Sequence, residues 1–353
     1  MASKFKNRMK IAANYFRHRT VLSGGPIEVT IESTAKCNLS CPMCPRHVYS
    51  FDSENMDLEL YRKLVADCKD YVEFIWPYGI GEPMMHPAIF EMIRITRDAG
   101  IRTGISTNAT FLDASRADQL LDSGLDYLIV AFDGATPETY EKYRAGAAFE
   151  KTKENILGLL EKKQARGSRL HVVLQMILLK ENSGEVEAYR RLWSIPGVDE
   201  VRFKRDEIRL DGSRIPGAAL KGQRHNPCYL LWRGPLYVRY DGLAYPCCYM
   251  YDTPPVGDLK QSSLMEVWNS PGMVRLREAH LKGDLREYST CVTCQATRPS
   301  GAAFYGSLAL DSLTVRKAVP ALEKLARFYN FGVFEREKEK EPRSLLRGRT
   351  ADS

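Results

Sequence analysis

From Ile27 onward, short runs rich in β-branched residues alternate with stretches whose apolar residues recur at helical spacing. The strand-like runs are Ile27–Ser33, Tyr71–Pro77, Ile101–Ser106, Leu125–Phe132, Leu170–Leu178 and Val198–Lys204. Between the first two, Leu60, Leu64, Val65 and Cys68 share one face of a helix that starts near Asp57, which makes Cys68 a small core hydrophobe. Strands that alternate with helices build a parallel sheet. Six such units predict an α/β fold, an open partial barrel rather than a closed eight-unit one.

The alternation stops after Lys204, and Asp211-Gly212-Ser213, Ile215-Pro216-Gly217 and Lys221-Gly222 read as a linker. Leu236 to Tyr240, Asp241-Gly242 and Leu243 to Tyr245 then predict a hairpin with a type I′ turn, which brings Cys247 and Cys248 to the end of its second strand. Ser262 to Trp268, and Met273 to Leu281 after Pro271-Gly272, predict two short helices leading to Cys291 and Cys294. Beyond Ser300, Val315 to Phe328 has amphipathic helical spacing and the remainder is a charged tail. The expected division is a basic segment over 1–26, a barrel over 27–210, a small α+β module over 220–300 and a helical, charged tail over 301–353.

Hydrophobic residues make up 44% of the chain and charged residues 27%, so a packed core is expected and disorder is excluded as a description of the whole. No run approaches the roughly 18 apolar residues of a membrane span, and Met1 to Arg19 lacks the apolar stretch of a secretory signal. A cytoplasmic location is therefore expected, and there nine cysteines point to metal or redox roles rather than disulfides. The net charge of +7 is concentrated in Lys4 to Arg19 and in the run from Arg336 to Arg347. Such runs read as solvated, partly helical tails, or as docking surfaces for an acidic electron-transfer protein or an anionic lipid surface, a peripheral membrane contact. No nucleic-acid-binding motif is present, so no nucleic acid is expected as a partner.

The candidate chemistry begins at Cys37-Asn38-Leu39-Ser40-Cys41-Pro42-Met43-Cys44, directly after the first strand, at the rim where α/β barrels build their active sites. Cys37, Cys41 and Cys44 can wrap one corner of a cubane, and a [4Fe–4S] cluster ordinarily takes four cysteines, so one iron stays open to a chelating substrate. The alternative is zinc, for which His47 stands close by as a fourth ligand.

This CxxxCxxC stretch resembles the radical S-adenosylmethionine (SAM) superfamily, and Cys41-Pro42-Met43-Cys44-Pro45-Arg46 resembles its branch with SPASM or twitch extensions. The resemblance implies a partial (β/α)6, TIM-like barrel over about Ile27 to Lys204. It also implies that the amino and carboxylate groups of SAM chelate the open iron, and that reductive cleavage yields a 5′-deoxyadenosyl radical. Tyr78-Gly79-Ile80-Gly81-Glu82-Pro83 is similar to the family's GGE motif, which implies SAM contacts at Gly81 and Glu82, with Ile80 replacing the first glycine of the pair. Ser106-Thr107-Asn108 resembles the polar strand end facing cluster and SAM, which implicates Ser106 and Asn108. The Ser-x-Asp-Gly of relatives is Ala131-Phe132-Asp133-Gly134 here, so one hydroxyl is missing. Tyr143-Arg144-Ala145-Gly146 is similar to the stretch whose arginine pairs with the SAM carboxylate, a role that suits the guanidinium fork of Arg144. Gln175 faces either the cofactor or the core.

Cys228, thirteen residues, Gly242, four residues and Cys247 resemble the opening of the SPASM pattern, and Cys291 and Cys294 supply a second pair. Four thiolates can close one auxiliary [4Fe–4S] cluster, and because no cysteine follows Cys294 the module resembles the single-cluster twitch form. Cys248 competes with Cys247, and zinc is again the alternative. Two clusters and SAM are thus the expected cofactors, with a flavodoxin or ferredoxin as electron donor. Twitch-type relatives include a dehydrogenase that oxidises a secondary alcohol of an aminocyclitol, so the resemblance implies a SAM-dependent dehydrogenase acting on a small polyol, aminocyclitol or sugar-like substrate. A maturase of ribosomal peptides is the alternative within the family, and a zinc-stabilised interaction protein the alternative outside it.

Overall fold

The expected strand runs become β1 (Glu28–Ile31), β2 (Phe74–Trp76), β3 (Arg102–Thr107), β4 (Tyr127–Ala131), β5 (His171–Leu178) and β6 (Glu200–Arg205). The structure, a computed structural model, describes residues 2–47, 53–205, 227–250, 253–292 and 294. The linker expected after Lys204, from Asp206 on, and the helix expected at Val315 to Phe328 lie outside these residues. Each of the six strands pairs in parallel with its sequence neighbours. The crossovers between them are supplied by α2 (Leu58–Cys68), α3 (Ile89–Asp98), α4 (Ala114–Asp122), α5 (Pro137–Tyr143), α6 (Phe149–Ala165) and α7 (Val186–Trp193).

Period-two alternation decides what each strand buries. Val29, Ile31, Ile75, Ile105, Leu128, Val130, Val172, Leu174 and Met176 pack in the core under the helices. Their neighbours Thr30, Trp76, Gly104, Tyr127 and Gln175 therefore face the barrel lumen, where the Trp76 and Tyr127 rings meet edge to face at 5.8 Å. The α2 helix starts where expected, since the Asp57 carboxylate accepts hydrogen bonds from the Glu59 and Leu60 amides, a cap worth about 1 kcal/mol. Cys68 closes that helix fully buried, as a core residue.

The C-terminal module extends the same sheet. After α8 (Leu230–Arg233), β7 (Leu236–Val238) pairs in parallel with β1, and β8 (Leu243–Tyr245) and β9 (Gly257–Asp258) add antiparallel, giving the order β6-β5-β4-β3-β2-β1-β7-β8-β9. Because β1 is flanked by β7 and not by β6, the barrel stays open. The hairpin turn differs from the expected type I′, which needs left-handed backbone at both central residues. Here Gly242 N–H donates to the Arg239 carbonyl at 2.9 Å and only Gly242, at φ 85°, is left-handed, the pattern of a type I turn with a glycine bulge. Asp241 favours it by pairing with Arg239 and accepting from the Leu243 amide at 3.1 Å. The two helices that follow, α9 (Leu264–Trp268) and α10 (Pro271–Lys282), lead to α11 (Ser289–Val292). A Ser263–Glu266 capping box starts α9 and left-handed Gly283 ends α10.

The basic N-terminal segment is no loose tail. Residues Ala2–Phe16 form α1, which runs beneath the N-terminal ends of β1 to β3. Its Asn7 exchanges two hydrogen bonds of 2.9 Å with the Gly25 backbone, Arg8 pairs with Glu73, Lys4 reaches the Gly100 carbonyl at 2.8 Å, and Ile11 is fully buried.

Candidate functional site

Strand β1 delivers the cysteine loop to the C-terminal rim of the sheet. There Cys37, Cys41 and Cys44 gather with Leu39, Met43, Tyr143 and Leu179 in a small apolar cluster separate from the main core. A tight turn, Cys44 N–H to the Cys41 carbonyl at 2.9 Å, holds the second and third thiols together, and Arg46 anchors the loop to the Ala35 carbonyl. Burial pushes all three thiols above their usual pKa, and the thiolates oppose one another. Three thiolates can share this space only around a positive centre.

Two neighbouring loops press onto this one. In the loop after β2, a Cβ at Gly81 would stand 2.2 Å from the Thr34 carbonyl oxygen and 2.6 Å from that of Lys36, so only glycine allows the approach. The next residue fastens it, Glu82 N–H donating to the Lys36 carbonyl at 2.7 Å. The Glu82 carboxylate is buried and already accepts from Thr107 Oγ1 at 2.6 Å, Asn108 N–H at 2.7 Å and Met84 N–H at 3.1 Å. Burial pushes its pKa up while these donors pull it back. Asn108 in turn donates to Asn38 Oδ1 at 3.0 Å, tying the end of β3 to the cysteine loop. Ser106, two residues back along β3, lies on the lumen side, half-buried. On the other side, Ser40 N–H donates to the Ala145 carbonyl at 3.0 Å and left-handed Gly146, φ 100°, lies against Asn38 and Leu39.

These contacts set Arg144 over the cysteines. Its Nη1 lies 3.9 Å from Cys41 Sγ and its Nη2 2.6 Å from Asp133 Oδ2, while Nε is buried with no hydrogen-bond partner. A forked donor with one buried N–H unspent, beside three converging thiols, fits a cluster whose open iron takes a carboxylate-bearing ligand. Asp133 is held by the Ile177 amide at 2.7 Å, and the adjacent Gly134 leaves no room for a Cβ, which would stand 2.4 Å from the Tyr140 nitrogen. Asp133 was not among the expected site residues. The signal is its position between core-facing Phe132 and Gly134, in the stretch that resembles Ser-x-Asp-Gly.

Sequence reasoning also missed a polar network deeper in the lumen. Arg202 and Glu200 on β6 form a bidentate pair with both N···O distances 2.7 Å, Tyr127 OH donates to Glu200 at 3.3 Å, and the Tyr127 and His171 rings stack at 5.0 Å. Gln175 is in register with both Ala131 and Arg202, which places it on this lumen wall rather than in the helix-side core.

The second cysteine set also converges. Cys228, Cys247, Cys291 and Cys294 line one cavity with Leu231 and His280, and the partly exposed Cys248 is not on its wall. The Cys228 amide donates to His280 Nδ1 at 3.3 Å, and the Cys294 amide to the Cys291 carbonyl at 3.3 Å. Burial pushes Cys228 up to about 12 and Cys247 well above its ordinary value, so this set too calls for a positive centre. Among the described residues no three His, Cys, Asp or Glu side chains close to the spacing of a single metal ion. Glu32 links the two halves, since its carboxylate accepts from Ile80 N–H at 3.0 Å and from Tyr237 OH on β7 at 3.1 Å.

Residues 31–192 match the family model of the radical SAM superfamily, and residues 228–295 match that of the SPASM iron–sulfur cluster-binding domain. The chain is 25% identical over 290 residues to the tungsten-containing aldehyde ferredoxin oxidoreductase cofactor-modifying protein of Pyrococcus furiosus, covering 68% of this chain and 80% of that protein. Among solved structures, the fold resembles anSMEcpe with bound AdoMet, at a TM-score of 0.58 and 15% identity over 86% of this chain and 99% of that one. It also resembles BtrN in complex with AdoMet and 2-DOIA, at a TM-score of 0.51 and 18% identity over 76% of this chain and 93% of that one.

Proposed function

Because the chain belongs to the radical SAM superfamily and carries a SPASM-type iron–sulfur domain, we propose that it oxidises a small polar substrate, a polyol, aminocyclitol or sugar-like molecule, at a carbon bearing a hydroxyl. The cofactors are SAM and [4Fe–4S] clusters. When they are bound, one electron splits SAM into methionine and a 5′-deoxyadenosyl radical, which takes a hydrogen atom from that carbon, and the product radical becomes a ketone by giving up a proton and an electron.

The chain's own residues divide this work. Cys37, Cys41 and Cys44 hold the SAM-binding cluster with one position open, and Arg144, oriented by Asp133, takes the SAM carboxylate through its free Nε–H. Gly81 and the donor-saturated Glu82 fix the loop over which the SAM amino group lies, and Ser106 and Asn108 line the same end of the lumen. Cys228, Cys247, Cys291 and Cys294 hold the auxiliary cluster that receives the last electron. A flavodoxin or ferredoxin supplies the first one.

The observation that carries this reading is the pairing of an incomplete set of three thiols with a complete set of four, above a lumen wall of hydrogen-bonding groups at Gln175, Glu200 and Arg202. The test is an anaerobic assay of reconstituted enzyme with SAM, a strong reductant and panels of polyols, aminocyclitols and short peptides. Product and 5′-deoxyadenosine should appear together with a polyol or aminocyclitol. In Cys291→Ala/Cys294→Ala enzyme, 5′-deoxyadenosine should continue while oxidised product falls sharply. Coupled turnover with peptides alone would replace this substrate class by the maturase reading.

A further inference from the structure

Arg277, in the middle of α10, is fully buried, and its guanidinium is held by three backbone carbonyls. Nε donates to Leu231 at 2.8 Å, Nη1 to Thr20 at 2.9 Å and Nη2 to Trp268 at 2.7 Å, and the group lies over the Trp268 ring, 4.7 Å from its centroid. Among the described residues no carboxylate pairs with it, whereas the buried Arg233 pairs with Glu28 at 2.9 Å. Burial lowers the pKa of Arg277 to about 9, so it remains a cation at neutral pH. Tying three segments together needs donors only. A full charge taken out of water needs a counter-charge as well, because carbonyl dipoles offset only part of its desolvation.

The four-cysteine cavity is one residue away. Leu231, whose carbonyl Arg277 holds, lines that cavity, and its N–H donates to the Cys228 carbonyl at 3.1 Å. His280, one turn along α10 from Arg277, lines it too and accepts from the Cys228 amide at 3.3 Å. Four thiolates outweigh the charge of an oxidised [4Fe–4S] core, so the filled site is a buried dianion that becomes a trianion on taking an electron. We propose that Arg277 is the counter-charge of the auxiliary cluster and raises its reduction potential, which makes it an electron acceptor. This rests on the oxidation proposed above, in which the electron comes from the product radical as that radical releases its hydroxyl proton and becomes the ketone. A cation favours the trianion over the dianion. At an effective dielectric constant of about 20, a unit charge within about 12 Å changes a one-electron equilibrium by about tenfold or more.

The test is a redox titration of the full-length, cluster-loaded protein followed by electron paramagnetic resonance, with the auxiliary signal identified by its absence from Cys291→Ala/Cys294→Ala enzyme. Arg277→Gln should make the auxiliary cluster about tenfold harder to reduce, a fall of about 59 mV for a one-electron couple. Arg277→Lys, which keeps the charge and loses the fork, should stay close to the parent. The potential of the cluster at Cys37, Cys41 and Cys44 should not move in either variant. Because Arg277→Gln also takes donors from buried carbonyls, a second pair leaves Arg277 and its bonds in place: Thr20→Glu sets a carboxylate beside the guanidinium from a half-buried position, and Thr20→Gln is its neutral control. The Glu variant should be harder to reduce than the Gln variant, by a smaller factor than Arg277→Gln. An equal fall in Arg277→Lys and Arg277→Gln overturns the proposal and leaves Arg277 a clamp between three segments. Where Arg277→Gln does not assemble the cluster, equal potentials in the two Thr20 variants overturn it. A parent without a second cluster signal removes the acceptor of the proposed oxidation and this role together, whereas unmoved potentials in enzyme that still oxidises substrate remove only the role of Arg277.

Discussion

Arg144 Nη2 stands 2.6 Å from the fully buried Asp133 Oδ2, and its Nη1 lies 3.9 Å from Cys41 Sγ. The pair orients the guanidinium and leaves Nε–H unspent. Arg144→Ala should weaken SAM binding by about 10- to 150-fold, the value of one hydrogen bond between charged groups. It should also destabilise the fold by about 3 kcal/mol, because Asp133 is left as an unpaired buried charge. The double variant Asp133→Asn/Arg144→Ala separates the two effects: stability recovers while SAM affinity, read by anaerobic equilibrium dialysis, stays low. SAM affinity that recovers with stability would make Arg144 a structural residue.

Two sites that hold clusters independently should lose iron independently. Replacing Cys37, Cys41 and Cys44 together by alanine should lower iron from about eight to about four atoms per chain, with acid-labile sulfide falling in step. The iron that remains reports the set formed by Cys228, Cys247, Cys291 and Cys294. Zinc in place of that remaining iron would reassign the C-terminal set.

How much of this was legible in the sequence depended on whether the signal was local. All six barrel strands and the Asp57 helix start were readable, because β-branched runs, a capping carboxylate and period-two alternation act within a few residues. The cysteine pairs close in sequence, Cys41 with Cys44 and Cys291 with Cys294, were readable as neighbours for the same reason. The hairpin turn was read as type I′ because Asp-Gly favours it, but the Arg239–Asp241 pair and the Leu243 amide selected the bulged alternative. The Glu200–Arg202–Tyr127–His171 network joins three strands, and α1 packs under β1 to β3 through backbone carbonyls that no side-chain pattern announces. Asp133 lay between these cases, within a recognisable stretch but with its partner eleven residues away, across α5.

Gly81→Ala should break the seam between the loop after β2 and the cysteine loop. The added Cβ would meet two backbone carbonyl oxygens, at Thr34 and Lys36, and neither can rotate aside as a side chain can. Relief requires moving the segment that leads into Cys37, together with the 2.7 Å hydrogen bond from Glu82 N–H to Lys36. Overpacking of this kind costs about 1–3 kcal/mol. The expected result is a lower Tm and loss of iron from the barrel site on gel filtration, with the auxiliary site spared. Full iron retention at the parent's Tm would show that the loops tolerate separation.

The lumen network makes a prediction about acid. Burial pushes the Glu200 carboxyl up, but the nearby His171 ring and the two hydrogen bonds from Arg202 outweigh it and bring the group down to about 2. An unfolded glutamate titrates near 4.3, so Glu200 binds a proton more readily in the unfolded chain than in the folded one. Its contribution to stability is therefore fully present above about pH 4.3 and is lost as pH falls toward about 2. Glu200→Gln keeps the size and one acceptor oxygen but removes the charge that Arg202 faces. At neutral pH the variant should melt a few degrees, about 2–4 °C, below the parent, a modest difference because the site is partly open to solvent. Between about pH 5 and about pH 3 the two Tm values should converge. Loss of the iron–sulfur groups in acid affects both proteins, and comparing them at each pH removes that common term. A gap that stays constant across this range would mean that Glu200 acts by shape or hydrogen bonding alone, with its charge contributing nothing.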